Sequence, residues 1–491
     1  MTFVGVLEEI VACYREREAF ICRDTASGDL SSVSFEEFWT SVSSAATYWT
    51  EKRKALPQNE PFRVGIAADN SYPYFVEYLG VIAAGGVFVP LNQSFGAERV
   101  LEFAAEIGIP YMLAGAAQLA DSEYAAELTA AYPPGRLLPL DEVFAASEQC
   151  EPLKDLHKGE PDDTILMLLS SGTSGRSKIV EITNENLSAY PNEVFEQLRP
   201  ARESGELHHY ENLIVLPLFH IGGVIPIVGE LARGNSLFIS NARQFLQDLG
   251  ARKFEKLIVA PAMMKRILER AEKNAKVAQT LQTVREVLCL GAAMSPVLIQ
   301  ALHDRDILPR TYYGLTETTG TVTYRGPYRD GACCTVADFC EIKIEDEEIC
   351  VRGKNVMKGY YKNPEATAEA IRDGWFHTGD LGRIDEDGYL YVTGRRKNII
   401  VLSNGENVSP EVLEDKLYAC PLVDECVVCA DGEEIAANIF SVAAAADETK
   451  AEEIRAFVKQ LNRTLPRVEQ IQKLNLSAEE LPKNSTGKLL R

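Results

Sequence analysis

The sequence lacks an excess of positive charge. It carries 50 Lys and Arg residues against 72 Asp and Glu residues, so its formal net charge at pH 7 is -22. A surface this acidic repels the phosphates of nucleic acids and the headgroups of anionic lipids. This absence argues against a nucleic-acid-binding function.

Long hydrophobic runs are also missing. No segment reaches the roughly 18 uninterrupted apolar residues that a membrane-spanning helix needs. The first residues, "MTFVGVLEEIVACYRERE", place acids among the apolar side chains and lack the basic start of a secretory signal. We therefore expect a cytoplasmic protein without a membrane span.

The cysteines lack the pattern of a disulfide framework. Their number, 11, is odd, and they are scattered along the chain. This predicts reduced thiols in a cytosolic protein. Cys426 and Cys429 do form a CxxC pair, but it lies in the apolar run "DECVVCAD" without a second pair or a nearby histidine, which favours a structural role over a metal site.

What the sequence does contain is an alternation of strand-like and helix-like segments. Helical periodicity covers 72–85 and 261–277. Short apolar runs predict buried strands at 62–69, 212–219, 256–262 and 284–291. Alternating strands and helices are typical of parallel sheets covered by helices, so the fold class is predicted to be α/β.

The sequence pattern changes from about residue 335. Segments such as "EIKIEDEEICVRGK" and "GRIDEDGYLYVTGRRKN" are punctuated by turn residues and predict antiparallel hairpins. We predict a large N-terminal domain over 1–396, with helix-covered sheets and a small antiparallel β subdomain. A small, mobile α+β domain is predicted over 397–491.

The stretch "LLSSGTSGRSKIVEIT", residues 168–183, has the composition of a phosphate-binding loop. Glycines allow a tight turn whose backbone N–H groups converge on an anion, and Ser, Thr and Lys add donors and charge. The spacing is GxxGxxK and no hydroxyl residue follows Lys178, so it is not a Walker loop. Taken alone, the stretch also fits a solvated turn.

Four further motifs follow this loop in order: "YYGLTETTG" (312–320), "GWFHTGDLG" (374–382), "GYLYVTGRRKNIIVLSNGENVSPEVLE" (388–414) and "LPKNSTGKLLR" (481–491). Together with the segments "NSYPYFVEYLGVIAAGGVFVPLN" and "PLFHIGG", they resemble the adenylate-forming superfamily over nearly the whole chain. That superfamily includes acyl-CoA synthetases, aryl-acid ligases, luciferases and peptide-synthetase adenylation domains. The resemblance implies an enzyme that activates a carboxylic acid as acyl-AMP, releases pyrophosphate and passes the acyl group to a thiol.

The resemblance also implies a nucleotide site. Tyr313 is expected to stack on adenine, Asp380 to accept hydrogen bonds from the ribose hydroxyls and Arg395 to lie near the ribose. Gly291, Ala292 and Gly314 are expected beside the base. The phosphate loop comprises Ser171, Gly172, Thr173, Ser174, Gly175 and Lys178.

Catalytic roles follow from the same resemblance. Thr316 is expected to contact the α-phosphate and Glu317 to hold Mg²⁺. Lys488 is expected to stabilise charge that develops between the substrate carboxylate and the α-phosphate. His220 is expected to line the mouth of the acyl pocket, although a histidine on an apolar strand end is often only a packed residue.

The family performs two half-reactions by turning its last domain. The resemblance places the hinge at Lys397 and brings Gly405 to the thiol side after the turn. The chain departs from the usual family pattern at several positions near these motifs. Ser177 and Ile179 stand where Pro and Gly are usual, and Asn398 replaces an acid.

The sequence indicates the acid substrate and the thiol acceptor less specifically than it indicates the reaction. Amino-acid-activating members carry an Asp soon after the segment that here reads "PLFHIGG", whereas this chain has none before Asp248. This favours an aliphatic or aromatic acid. With no carrier domain in the sequence, coenzyme A is the expected acceptor, and a separate acyl or peptidyl carrier protein is the alternative. A non-catalytic nucleotide-binding relative stays a further possibility.

Overall fold

The computed structural model describes residues 1–23, 28–170, 177–402, 406–432, 434–483 and 489–491. The strands are β1 (Glu18–Arg23), β2 (Leu30–Ser34), β3 (Arg63–Ala67), β4 (Val87–Pro90), β5 (Tyr111–Ala114), β6 (Leu137–Pro139), β7 (Thr164–Leu169), β8 (Ile179–Thr183), β9 (Glu211–Ile214), β10 (Ser236–Ile239), β11 (Lys256–Val259), β12 (Glu286–Cys289), β13 (Leu308–Thr311), β14 (Thr323–Arg325), β15 (Thr335–Val336), β16 (Cys340–Glu345), β17 (Glu348–Gly353), β18 (Gly359–Tyr360), β19 (Ile371–Arg372), β20 (Trp375–Ile384), β21 (Leu390–Arg395), β22 (Ile400–Val401), β23 (Asn407–Val408), β24 (Glu425–Asp431), β25 (Glu434–Phe440) and β26 (Lys473–Ser477).

The α-helices are α1 (Phe3–Tyr14), α2 (Phe35–Lys54), α3 (Tyr72–Ala83), α4 (Ala97–Ile107), α5 (Ala116–Ala120), α6 (Ser122–Ala131), α7 (Leu140–Ser147), α8 (Asn184–Gln197), α9 (Arg199–Ser204), α10 (Ile221–Ala232), α11 (Phe245–Leu249), α12 (Pro261–Ala271), α13 (Ala275–Leu281), α14 (Pro296–His303), α15 (Pro364–Ala370), α16 (Pro410–Leu417), α17 (Val442–Ala446) and α18 (Glu448–Asn462). Short 3₁₀ turns occur at Thr316–Thr318, Arg396–Asn398 and Arg467–Glu469.

Two seven-stranded sheets form the body of the protein. Their strand orders are β18-β8-β7-β4-β3-β5-β6 and β13-β12-β11-β9-β10-β1-β2. Pairing is parallel except at one edge of each sheet, where β8 is antiparallel to β7 and β18, and β2 is antiparallel to β1. The predicted α/β class with parallel, helix-covered sheets is confirmed.

One predicted helix is wrong in its extent. The apolar periodicity of 261–277 predicts a single helix, but the chain forms α12 and α13 with a break between them. Asn274 starts the second helix, because its side-chain oxygen accepts hydrogen bonds from the backbone N–H groups of Lys276 and Val277. This capping residue interrupts a pattern that otherwise continues across it.

The predicted antiparallel β subdomain is present. Strands β16, β17, β20 and β19 pair in that order, and β21 pairs with β20. The turn from β16 to β17 contains Asp346 and Glu347 at φ +48° and +64°. Two consecutive positive φ values are typical of the tight hairpin turn that follows the right-handed twist of the strands.

The last region contains its own sheet, β24-β25-β26, and its own apolar core. Cys426 and Cys429 both lie on β24, three positions apart, so they point to opposite faces of the strand. Cys426 is buried in that core, whereas Cys429 contacts Asn438 on the other face. The two thiols therefore do not form a shared metal site. All eleven cysteines are free thiols.

None of the helices in the described ranges is long and apolar enough to cross a membrane.

A carboxyl group is buried where α2, α3 and α7 pack together. Glu77 on α3 is fully buried and accepts hydrogen bonds from Trp49 Nε1 at 2.6 Å and from Ser147 Oγ at 2.8 Å. Burial raises the pKa of Glu77 to about 7. The neutral acid is the form that this interior favours.

We expect the Glu77→Gln variant to lose part of the pH dependence of folding. A carboxyl pKa raised from 4.5 to about 7 means that its favourable contribution is present below pH 4.5 and is lost as the pH rises through 7. At pH 8.5 the variant should be more stable than the parent by up to about 3 kcal/mol, with little difference at pH 5. Urea unfolding across this pH range measures the difference.

The matched control is Glu51→Gln, which changes an exposed acid of α2 that pairs with Lys54. Its unfolding free energy should follow the parent at every pH. Parallel pH profiles for the parent and Glu77→Gln would contradict the assignment of a neutral buried carboxyl.

Candidate active site

The predicted adenine-binding residues lie at the carboxyl ends of neighbouring parallel strands. Cys289 of β12 pairs with Thr311 of β13. Gly291 and Tyr313 each lie two residues beyond these partners, and Gly291 and Ala292 are exposed. Such strand ends are the usual place for ligands in open α/β sheets.

Tyr313 is held firmly on both its backbone and its side chain. Its N–H donates to Thr323 Oγ1 at 3.0 Å, and its carbonyl accepts from the Val322 N–H at 2.8 Å. The side chain is 8% exposed, and its hydroxyl donates to Asp380 Oδ2 at 2.9 Å. Burial, and then the Asp380 charge, raise the pKa of this phenol well above its ordinary value. The ring is therefore an ordered, neutral aromatic surface.

Asp380 connects Tyr313 to Arg395. It lies opposite Arg395 in the β20–β21 pair, and its Oδ1 is 2.7 Å from Arg395 Nε. This part of β20 is fixed by Thr378, whose Oγ1 accepts from the Asp380 N–H at 3.0 Å and donates to the Ile349 carbonyl at 2.7 Å. Asp380 is only 4% exposed. Its two carboxylate oxygens contact Tyr313 and Arg395, which fixes the orientation of the group.

The segment after Tyr313 forms a closed loop. A Cβ on Gly314 would lie 2.3 Å from the Gly320 carbonyl oxygen, so only glycine fits there. The 3₁₀ turn Thr316–Thr318 lies inside this loop, and the Leu315 N–H donates to Thr318 Oγ1 at 2.8 Å. Thr316 and Glu317 are half-buried at the start of the turn.

Tyr360 contacts both Lys178, the lysine of the predicted phosphate loop, and Glu317, the predicted metal ligand. Its hydroxyl donates to Glu317 Oε1 at 3.0 Å, and Lys178 Nζ lies 4.4 Å from the centre of its ring. This arrangement arises because β18 pairs with β8, with Tyr360 opposite Val180. Burial, and then the Glu317 charge, raise the pKa of Tyr360. No local sequence pattern indicates a role for Tyr360, because that role depends on the pairing of its strand with β8.

The Glu317 carboxylate fits a hard cation. Tyr360 uses one of its lone pairs, and the half-buried group keeps oxygen sites for Mg²⁺, which prefers carboxylate ligands and retains several waters.

His220 lies directly before α10 and is half-buried. Helix α10 packs against the loop that contains Thr316 and Glu317. A Cβ placed on Gly320 in that loop would lie 3.1 Å from Ile221 and 3.2 Å from Ile225 of the helix. The strand end before His220 is fixed by Asn70, another residue that sequence reasoning missed. Its Nδ2 donates to the carbonyls of Leu216 and Ser240, and its Oδ1 accepts from the Leu218 N–H.

Lys397 lies in the 3₁₀ turn Arg396–Asn398 that follows β21. Partial burial, followed by repulsion from Arg395, lowers the pKa of its ammonium group below the ordinary value. Asn398, which replaces the usual acid, donates to Glu411 Oε1 at 2.6 Å. The predicted hinge is thus a short turn between two strands.

The structure brings together Tyr313, Asp380 and Arg395 as one group and Lys178 and Glu317 through Tyr360 as another. Several predicted site residues lie outside the described ranges: Ser171, Gly172, Thr173, Ser174, Gly175, Gly405 and Lys488.

Family models match most of the chain. The AMP-binding enzyme model matches residues 7–361, and the AMP-binding enzyme C-terminal domain model matches residues 397–491. The chain belongs to the AMP-binding enzyme family.

Relatives with assigned activities are ligases that form CoA thioesters. A feruloyl-CoA synthase from Amycolatopsis sp is 32% identical over 387 residues, which cover 74% of each chain. A 4-coumarate–CoA ligase from Oryza sativa subsp. japonica is 30% identical over 467 residues, covering 87% of this chain and 78% of the relative. These relatives confirm the predicted enzyme class, an AMP-forming acyl-CoA synthetase.

Solved structures share the fold. The O-succinylbenzoate coenzyme A synthetase of Bacillus subtilis in complex with ATP and magnesium superposes with a TM-score of 0.75 at 23% identity, covering 99% of this chain and 98% of the other. ATP-bound MatB from Rhodopseudomonas palustris has a TM-score of 0.79 at 23% identity, covering 100% and 97%. The predicted architecture is confirmed.

Proposed function

We propose that the protein joins a carboxylic acid to coenzyme A at the expense of ATP, with Mg²⁺ as cofactor and acyl-AMP as intermediate. A carboxylate is a poor electrophile because oxide is a poor leaving group. Transfer of AMP to the acid creates a mixed anhydride and releases pyrophosphate, and a thiol can then displace AMP. The observation that carries this proposal is the Tyr313–Asp380–Arg395 group, a connected set of aromatic, acceptor and donor side chains.

At the nucleoside end, the Tyr313 ring provides the stacking surface, with Gly291, Ala292 and Gly314 beside the base. Asp380 accepts hydrogen bonds from the ribose hydroxyls, while the contact with Arg395 orients its carboxylate. The hydroxyl of Tyr313 fixes the other carboxylate oxygen.

At the phosphate end, Thr316 donates to the α-phosphate and Lys178 supplies positive charge, together with the loop Ser171 to Gly175. Glu317 holds Mg²⁺, which neutralises charge on the phosphates. The Tyr360 hydroxyl orients the Glu317 carboxylate, and the face of its ring contacts the Lys178 ammonium.

The two half-reactions are assigned to two orientations of a small domain over 397–491 against a large domain over 1–396. In the first orientation Lys488 stabilises charge on the reacting carboxylate and α-phosphate. A turn about Lys397 then withdraws Lys488 and presents the segment of Gly405 to the thiol.

We propose an aromatic or aliphatic acid as substrate. The helix that follows His220 is apolar, and its acid, Glu230, is buried and already paired with Lys256 at 2.9 Å and Asn235 at 2.6 Å. Glu230 is therefore not available to bind the ammonium group of an amino acid. The relatives named for ferulate and 4-coumarate favour an aromatic acid over an aliphatic acid as the substrate.

The test is product formation by the purified protein with ATP and Mg²⁺. Hydroxycinnamic, benzoic, fatty and amino acids are supplied in parallel, and each reaction receives either coenzyme A or a phosphopantetheinylated carrier protein. We expect an acyl-CoA from an aromatic or aliphatic acid. A thioester found only on the carrier protein, or only with amino acids, would overturn the proposed acceptor or acid.

We further propose a cytoplasmic location, where ATP and coenzyme A are both present.

Removal of one hydroxyl tests the role of Tyr360. We expect Tyr360→Phe to lower kcat of adenylation about tenfold and to raise the Mg²⁺ concentration needed for half-maximal rate, because a hydrogen bond to a charged group contributes about 1.5–3 kcal/mol. The phenylalanine ring still supports Lys178. Initial rates measured across a Mg²⁺ series give both quantities.

The matched control is Tyr361→Phe at the next residue, whose hydroxyl accepts a hydrogen bond from Arg63 at 2.8 Å instead. An unchanged Mg²⁺ requirement in Tyr360→Phe would show that Tyr360 serves packing only.

A further inference from the structure

A second group of side chains that could hold a metal ion lies on the antiparallel subdomain. Cys350 of β17 pairs with His377 of β20, and Glu345 of β16 pairs with Glu348 of β17. The alternation of side chains places these residues on one face of the sheet. One ligand atom from each of Glu345, Cys350 and His377 lies within 4.8 Å of the other two.

The distances suit a tetrahedral metal. Cys350 Sγ lies 3.4 Å from His377 Nδ1. A zinc ion with bonds of about 2.3 Å to sulfur and about 2.0–2.1 Å to nitrogen holds those two atoms about 3.5 Å apart. Glu345 is 51% exposed and pairs with Lys343 at 2.7 Å, so its carboxylate can turn inward from solvent.

The same contacts argue against a nucleophilic triad. Both Cys350 Sγ and Glu348 Oε2 approach one nitrogen, His377 Nδ1, at 3.4 and 3.3 Å. A relay needs the thiol and the acid on different ring nitrogens. Cys350 is also 0% exposed, so no substrate carbonyl can reach it.

We propose that Glu345, Cys350 and His377 form a binding site for a borderline-soft divalent cation, with Zn²⁺ as the best match. A thiolate, an imidazole and a carboxylate on one centre are ligands that zinc accepts and magnesium does not prefer. Binding displaces the thiol proton of Cys350 into solvent as the sulfur–metal bond forms. Glu348 Oε2 approaches the same Nδ1 at 3.3 Å, so a metal bound at this nitrogen replaces that contact and leaves Glu348 as an adjacent carboxylate.

The site is connected to the nucleotide pocket through Glu348. Its Oε1 accepts from the Gly379 N–H at 2.8 Å, directly before Asp380, and its Oε2 lies 3.6 Å from Arg396 beside the hinge. An ion bound here ties β16, β17 and β20 together next to both features. We therefore expect zinc to raise the thermal unfolding temperature of the nucleotide-free protein.

The experiment uses the full chain, stripped with a chelator and kept reduced without added thiols, in the absence of ATP. Co²⁺ is titrated in while the thiolate-to-cobalt charge-transfer absorption is followed, and Zn²⁺ is then added to displace it. We expect one Co²⁺ per chain, displacement by Zn²⁺ and no displacement by a large excess of Mg²⁺. Absence of the charge-transfer band, or displacement by Mg²⁺, would overturn the proposal.

Variants assign the ligands. Cys350→Ser should abolish the band, and His377→Gln should weaken Co²⁺ affinity at least about tenfold. Cys340→Ser is the matched control, because Cys340 is a buried thiol on β16 whose side chain points to the face opposite Glu345. Glu345→Gln changes a half-exposed side chain and so tests the site without threatening the fold. Loss of the band in Cys340→Ser instead of Cys350→Ser, or unchanged affinity in Glu345→Gln, would contradict the ligand set.

Discussion

Replacement of Asp380 by asparagine should raise the dissociation constant for ATP about a hundredfold. Each hydrogen bond from a ribose hydroxyl to the carboxylate contributes about 1.5–3 kcal/mol, and the amide keeps only one acceptor oxygen. The substitution also removes the charge that holds Arg395 at 2.7 Å. Calorimetric titration with ATP and Mg²⁺ measures the loss directly.

The matched control is Asp385→Asn, on the turn that follows the same strand. Asp385 also pairs with an arginine, Arg329, at 2.7 Å, but it belongs to the hairpin end of β20 and β21. It should leave ATP affinity unchanged. Equal losses in both variants would mean that Asp380 acts through the stability of the subdomain and not through the ribose.

Replacement of Lys488 by alanine should separate the two half-reactions. We expect the rate of acyl-AMP formation to fall about 10²–10³-fold, the usual effect of removing one group that stabilises charge in a transition state. Conversion of chemically supplied acyl-AMP to acyl-CoA should change less than threefold, because the proposed turn about Lys397 withdraws Lys488 in that step. Single-turnover assays of each half-reaction measure the two rates.

Lys483→Ala provides the comparison within the same segment. Lys483 pairs with Glu425 and Glu480, so its ammonium is already engaged inside the small domain. Both half-reactions should keep their rates. Equal slowing of the two half-reactions in Lys488→Ala would contradict the assignment of Lys488 to adenylation alone.

Local sequence patterns predicted much of the architecture. The strand at 62–69 and the helix at 72–85 correspond to Arg63–Ala67 and Tyr72–Ala83, because their apolar spacing reflects burial on one element. The hairpins after residue 335 were predictable from turn residues such as Asp346 and Glu347. The end of α12 was missed, since a single capping residue, Asn274, outweighed the apolar repeat.

The site was predictable only as separate motifs. The family resemblance identified Tyr313, Asp380 and Arg395 separately. The hydrogen bond from the Tyr313 hydroxyl to the Asp380 carboxylate depends instead on how the segment after β13 lies against β20. Tyr360 had no signal at all, because its role arises from pairing with β8.

Buried ionic contacts were equally hidden in the sequence. Lys256 forms ion pairs with Glu230 at 2.9 Å and with Glu286 at 2.7 Å. Glu230 lies on helix α10 and Glu286 on the neighbouring strand β12, and both are distant from Lys256 in the sequence. The metal-ligating group of Glu345, Cys350 and His377 has the same origin, since three separate strands supply it. Long-range pairing, which residue spacing does not encode, decides such groups.

Acid-dependent exchange of labelled pyrophosphate into ATP is the decisive assay for adenylation, because it requires acyl-AMP formation but no thiol. We expect Mg²⁺-dependent exchange with an aromatic or aliphatic acid and its loss in Asp380→Asn. Binding of ATP without exchange for any acid tested would contradict the proposed adenylation and would favour a nucleotide-binding protein that does not catalyse it.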